Sequence, residues 1–335
     1  MFKVILLLPL IIILGCCQTN PLKVNVSNIN LQLEIKRLDH DIFSVTTGNA
    51  QVIIPRLEQK YGSFFKAYNE NVLALGNPSD PQYFTYLNTF LRDSIRIASH
   101  LKIDSLYQDL TGIEQKLEDG FRHYKYHFPD KIIPQIITII SGFNQSVVMT
   151  ENAVGISLDN YLGEDCQFYK MLGLPAFKRD NMQSAKIPTD VLYAWAVSEF
   201  EFDESQNNLL SNMVYQGKLI YFLDAMFPDE PDYLKIGFRP EKLEWCTKNE
   251  AGMWSYLIEQ KLLFNSDRMN IVRFINPAPF TSCFTTESPG RTGIWIGWQI
   301  VRNYMKKNPG VSLSGLLADN DYQKILNESG YSPEY

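Results

Sequence analysis

The chain has 335 residues, a formal net charge of −6, and 45% hydrophobic and 13% aromatic residues. That apolar content is enough for a sizeable core and excludes a disordered chain; the length suits one large domain or two small ones. The mild acidity and the lack of a basic run argue against nucleic acid as a partner.

The chain begins MFKVILLLPLIIILGCC. Lys3 is a short positive region, and Val4 to Leu14 is an apolar run of about eleven residues, the length of a secretion signal. A membrane-spanning helix needs roughly 20 apolar residues, so this run is too short to stay as an anchor. Ile13-Leu14-Gly15-Cys16 resembles the lipobox of bacterial lipoproteins, in which the peptidase cuts after the small residue and the Cys thiol takes the lipid. The expectation is a signal peptide at 1–15, with Cys16 as the acylated first residue of the mature chain. Stable attachment takes two or more acyl chains. Polar residues 17–30, which include Pro21, read as a tether, and 31–335 as a single globular domain. The remaining cysteines, 17, 166, 246 and 283, form no C-x-x-C; one bridge among the last three, or free thiols, would both fit.

Leu31 to Val45 begins with strand-like alternation and runs into an acidic turn at Asp39–Asp41. Helical spacing follows over 50–75, over 82–99 and over 101–127, with breaks at Gly76-Asn77-Pro78, Asp80-Pro81 and Pro129. IIPQIITIISGF, from 132, reads as a buried strand. Strands at 146–150 and 153–158 follow around a turn at Glu151-Asn152. The pattern is helical again over 189–201, 206–227, 250–264 and 292–307. This gives an α+β fold, mostly helical, with a small sheet at about 134–158 and no alternating βα units.

Three constellations bear on chemistry. His123 and His127 have the i, i+4 spacing of H-E-x-x-H, but Tyr124 stands in place of the glutamate base; histidines at a helix C-terminus would also favour its dipole. A sheet with an edge hairpin followed by two helices is also the element order of gluzincin-type zinc peptidases. Aligned by spacing, Ser198, Glu199, Phe202 and Gln216 occupy the motif, and only Glu199, the base, survives. Neutral Ser, Phe and Gln make a poor Zn²⁺ site, so this reading implies a degenerate zincin-like domain without catalysis, metal or cofactor. Third, SPGRTGIWIGWQIVRNYM (288–305) places Arg291 just before a helix, where the dipole disfavours it. A buried carboxylate, Glu199 or Glu201, or an anionic ligand is the expected partner. Trp295 and Trp298 read as core or groove wall. A cleft formed by Glu199, Gln216, Arg291 and Trp298 is the candidate site. No G-x-S-x-G, P-loop or G-x-G-x-x-G occurs.

RLDHDIF (37–43), YKYHFPD (124–130), IITIISGF (136–143), VGISLDNYLG (154–163), YQGKLIYFLDAMFPD (215–229) and SPGRTGIWIGWQIVRNYM resemble the gliding-motility lipoprotein GldB family of the Bacteroidota. The resemblance implies a periplasm-facing lipoprotein needed for gliding, working with the envelope motor and type IX secretion machinery, with no known catalytic activity. The expected place is the inner leaflet of the outer membrane, since Cys17-Gln18 lacks an acidic retention residue. A peptide or cell-wall hydrolase, and a peptidoglycan- or small-ligand-binding lipoprotein using the Arg291 cleft, are the alternatives.

Overall fold

The structure, a computed structural model, describes residues 20–334. The expectations for the leader and Cys16 lie outside these residues. Four strands form one sheet: β1 (Ile35–Arg37), β2 (Gln135–Ile139), β3 (Val147–Thr150) and β4 (Ala153–Ser157), in the order β1-β2-β4-β3. The β1–β2 and β2–β4 pairs are parallel; β3 and β4 are an antiparallel hairpin turning at Glu151-Asn152. The sheet therefore has one strand more than the sequence indicated, and it is mixed. The extra strand is the three-residue stub of the alternating stretch at 31–45. It ends where buried Asp39 accepts from Arg37 Nε at 2.9 Å and from Thr138 Oγ1 on β2, and the chain turns into a helix at Leu38–Phe43.

The pleat sorts the two faces. Ile136, Val154 and Ile156 join the larger core. Ile137, Ile139 and Ala153 face a smaller one built from Leu38, Ile54, Leu57, Phe64, Phe65 and Leu87. On that face Gly155 has no room for a side chain: a Cβ would lie 2.6 Å from the Phe64 ring. The helical pattern of 50–75 is realised as Ala50–Tyr61 and Ser63–Ala67, interrupted at Gly62, whose φ is 56°. The pattern of 82–99 splits at Asp93, which caps Ser94–Leu106 by accepting from Arg96 N. Thr111–His127 follows.

The larger core surrounds the helix Leu209–Met226, opened by an Asn208/Ser211 capping box and buried at every position but Asn212 and Gln216. A helix apolar on all sides must be covered on all sides. Ile187–Glu199 and Thr292–Lys307 are among its neighbours. Against the second the backbones touch: a Cβ on Gly217 would lie 2.3 Å from Gly297 C, and one on Gly297 1.8 Å from Met213 O. Below this crossing, buried Asp224 accepts from Trp298 Nε1 (2.8 Å), Arg302 Nε (2.8 Å) and Nη2 (2.7 Å), and Lys235 Nζ (2.9 Å). Asp232 binds the same arginine at 2.7 Å. The charges are paired and hydrogen-bonded, as burial demands.

Residues 20–30, part of the stretch read as a tether, lie against the domain. Asn20 donates to Pro228 O, Lys23 pairs with Asp229 at 2.8 Å, and Val26 is buried. Leu22 and Val26 supply apolar surface that a freely solvated linker would lack. Cys166, Cys246 and Cys283 are free thiols. No helix among the described residues is long and apolar enough to cross a membrane.

Candidate functional site: two cavities meeting at Arg291

The loop before the helix 292–307 is held from several sides. Thr281 donates to Pro289 O through both its N–H and its hydroxyl, each at 2.9 Å. Lys242 Nζ donates to the carbonyls of Thr286, Glu287 and Ser288. A Cβ on Gly290 would lie 2.4 Å from Ala278 O, so this loop and the 277–279 segment pack backbone to backbone. The chain then enters the helix through Arg291 in the left-handed region, φ 60° and ψ 29°, a conformation costing a non-glycine residue about 1 kcal/mol.

Arg291 has no carboxylate within 4.0 Å among the described residues. Its Nη2 donates to Ile236 O (2.9 Å) and Gly237 O (3.1 Å), and the guanidinium lies 5.4 Å from the Phe238 ring centre. Burial lowers its pKa from the usual guanidinium range, and Tyr193 and Asp190 pull it back up. Two cavities share Arg291, Asn181 and Gly237 as lining: an outer one of about 410 Å³ and an inner one of about 220 Å³. Both approach or fall within the size of small-ligand sites, roughly 300–1,000 Å³.

The outer cavity has apolar walls, including Phe143, Leu174, Phe177, Met182 and Phe238, and the amides of Asn144, Asn160 and Asn181. Four cations line it (Lys178, Arg239, Lys242 and Arg291) against the single acid Asp180. Arg239 is already paired with Glu164 and Asp180, at 2.6 and 2.7 Å. The Phe143 side of the rim is a strained turn, Gly142 and Phe143 having φ of 74° and 66°. Fully buried Asp159 holds it, accepting from Ser141 N and Phe143 N at 3.2 and 2.7 Å. Burial pushes its pKa up to about 6, against the pull of these N–H groups. In the inner cavity Lys186 pairs with Asp190 at 2.9 Å, Asp190 also accepts from Tyr161 OH, and Tyr193 OH donates to Gln216 Oε1.

Of the four residues expected in one cleft, Arg291 lines both cavities, and Gln216 is linked to the inner one through its hydrogen bond with Tyr193. Glu199 is the last residue of the helix 187–199 and pairs with Lys131 at 2.5 Å. Neither Glu199 nor Glu201 forms an ion pair with Arg291; backbone carbonyls take the place expected for a carboxylate. Trp298 is wholly buried between Asp224 and Arg302, part of the packing and no cleft wall. The zinc-peptidase spacing also fails locally. The helix stops at Glu199, Ser198 donates to Trp195 O, and Phe202 lies past the helix end against Tyr215 and Tyr322. His123 Nδ1 lies 3.0 Å from Asp119 O, while His127 Nε2 is buried without a hydrogen-bond partner among the described residues. Desolvation, aided by His123, lowers the His127 pKa to about 4. Among the described residues no three His, Cys, Asp or Glu side chains gather as a metal site.

Residues the sequence reading passed over complete the cavities: Phe143, Asn160, Asn181, Asp190, Tyr193 and Phe238. Phe143 and Asn160 fall in family-like motifs, at 136–143 and 154–163, so their positions were flagged but their meeting across the fold was not. The family described as gliding motility protein GldB matches residues 19–333. No curated protein and no solved structure matches the chain.

Proposed function

Because the chain belongs to the family of gliding motility protein GldB, we propose that it serves gliding as a lipid-anchored, non-catalytic accessory of the cell envelope. In this reading Cys16 carries the lipid, the domain faces the periplasm from the outer membrane, and it holds a component of the gliding and type IX secretion apparatus. The observation that carries it is the family match over residues 19–333; the resemblance of Ile13-Leu14-Gly15-Cys16 to a lipobox supports the anchor. The docking of residues 20–30 adds geometry. Asn20 is four residue steps from Cys16, a reach of at most about 14 Å, so a lipid there would keep the Asn20–Pro228–Asp229 face close to the bilayer. Asn20 and Lys306 line one groove, at the C-terminal end of the helix 292–307. Arg291 starts that helix, sixteen residues or about 24 Å away.

The non-catalytic reading is supported by the donor chemistry of Ser198, Phe202 and Gln216 and by the engagement of Glu199 with Lys131. Glu199→Gln should leave gliding intact; a hydrolase would lose it. The anchor is tested by Cys16→Ser in native cells with fatty-acid labelling, fractionation and tracking on glass. Label, envelope retention and gliding should be lost together. Full labelling and gliding of the variant would sink the proposal. A second reading, that the protein binds a ligand in the envelope, is favoured by one observation: the cavity at Arg291, whose charge forms no ion pair among the described residues.

A further inference from the structure

The second reading can be sharpened by what borders the outer cavity. Asn144 and Ser146 line it and lead directly into β3. β3 is one of the two edge strands of the sheet and, among the described residues, pairs on one side only. The register and the bond from Ser157 N to Ser146 O fix which groups point outward. Ser146, Val148 and Thr150 bond to β4, so Val147 and Met149 turn their N–H and C=O to the open edge. An unpaired edge is a template for another strand.

Strand direction and charge then agree. β3 runs away from the cavity, from Val147 to Thr150. A peptide adding antiparallel runs the other way and delivers its C-terminal end to Ser146 and the cavity; a parallel one would deliver its amino end. The cavity meets that end with Arg291. Among the described residues its Nε and Nη1 have no hydrogen-bond acceptor, whereas its Nη2 is committed to Ile236 O and Gly237 O. Buried charges are ordinarily paired, and an arginine–carboxylate hydrogen bond is among the stronger polar contacts. Phe143, Phe177 and Phe238 leave an apolar slot beside it.

We propose that this face captures the free C-terminus of an extended polypeptide, its backbone added antiparallel to the Val147–Met149 edge, its carboxylate on Arg291 and its last side chain, an apolar one, in the outer cavity. Strand addition and terminal-carboxylate capture are both general modes of peptide recognition. The inference rests on the ligand-binding reading of the site and not on the lipid anchor, so a failure at Cys16 leaves it standing, and its own failure leaves the anchor standing.

The test uses the full chain in detergent and a pool of N-terminally blocked octapeptides, randomised at the last three positions, as free acids. Retained peptides are identified by mass spectrometry and the best is measured by fluorescence anisotropy. Retention of sequences with an apolar last residue is expected. Amidation of the C-terminus should weaken binding at least tenfold, as should Arg291→Gln, with Arg291→Lys recovering part of it. N-methylation of the peptide backbone two or three residues from its end should weaken binding similarly, and this needs no protein variant. Equal binding of the amide, indifference to N-methylation, no retention by correctly melting protein, or retention of purified muropeptides in place of the pool would each overturn the proposal.

Discussion

The two ends of the segment 288–305 do opposite things. From Gly297 onward the helix is closed: glycine meets glycine at the crossing with 209–226, and Asp224 satisfies Trp298, Arg302 and Lys235 in one buried network. Near its start the backbone is just as firmly held, but the Arg291 side chain faces cavities. Arg291 sits in a strained backbone conformation where two cavities meet, with Asp190 nearby but no ion pair among the described residues. Both ends carry an arginine over an aromatic ring, Arg302 on Trp298 and Arg291 on Phe238. Only the first has its charge matched. A matched buried charge is explained by folding; an unmatched one beside a cavity asks for something from outside.

The contrast can be broken at either end. The largest effect is expected from Asp224→Ala, which strands Arg302 and Lys235 in the interior and should cost about 3–5 kcal/mol in denaturant unfolding. A loss under 1 kcal/mol would mean that the network is incidental. Gly297→Ala forces a methyl group into the Met213 carbonyl and should cost about 3 kcal/mol, read as a lower melting temperature. Near-normal melting would show that the two helices can separate without penalty.

A smaller effect comes from His127. Its folded pKa, about 4, lies below the usual 6.5, so the unfolded chain takes up the proton first and stability falls as pH drops from about 6.5 to 4. Discounted for partial exposure, this is about 1–2 kcal/mol, and it should vanish in His127→Phe. Asp159 works in the opposite sense: its raised pKa makes the folded state weaker as pH rises from about 4 to 6. The difference between the wild-type and His127→Phe curves isolates the histidine. The smallest effect is expected at the Arg291 end. Arg291→Gln should change unfolding by about 1 kcal/mol or less, because only carbonyl bonds and a ring contact are lost. A loss as large as that of Asp224→Ala would make Arg291 a structural tie and remove the contrast.

The sequence made some of this plain and hid the rest for physical reasons. The strands at 135–139, 147–150 and 153–157 and the helix 292–307 follow from apolar runs, a two-residue turn and helical periodicity, all local properties. The alternation from Leu31 marks the strand that becomes β1, but its place in the sheet is not legible locally, because its pairing partner lies a hundred residues away. Helices Pro240–Lys248 and Tyr322–Ser329 are short, so periodicity had few turns in which to declare itself. Arg291 stands out because positive charge at a helix start is unfavourable, which is local. Its expected partner was misassigned because the backbone carbonyls of 236 and 237 carry no sequence signature. Motif spacing and charge link Glu199 to it, and nearness in the same helix links Trp298, yet the fold sends each to a different partner, Lys131 and Asp224.

The most direct test joins the Arg291 end to the process in the cell. Replacing the native copy with Arg291→Gln, confirming its abundance by immunoblot and tracking single cells on glass asks whether this unmatched charge serves gliding. Normal abundance with gliding lost or sharply reduced is the expected result. Normal abundance with unchanged gliding would contradict the view that the Arg291 cavity is where this protein does its work.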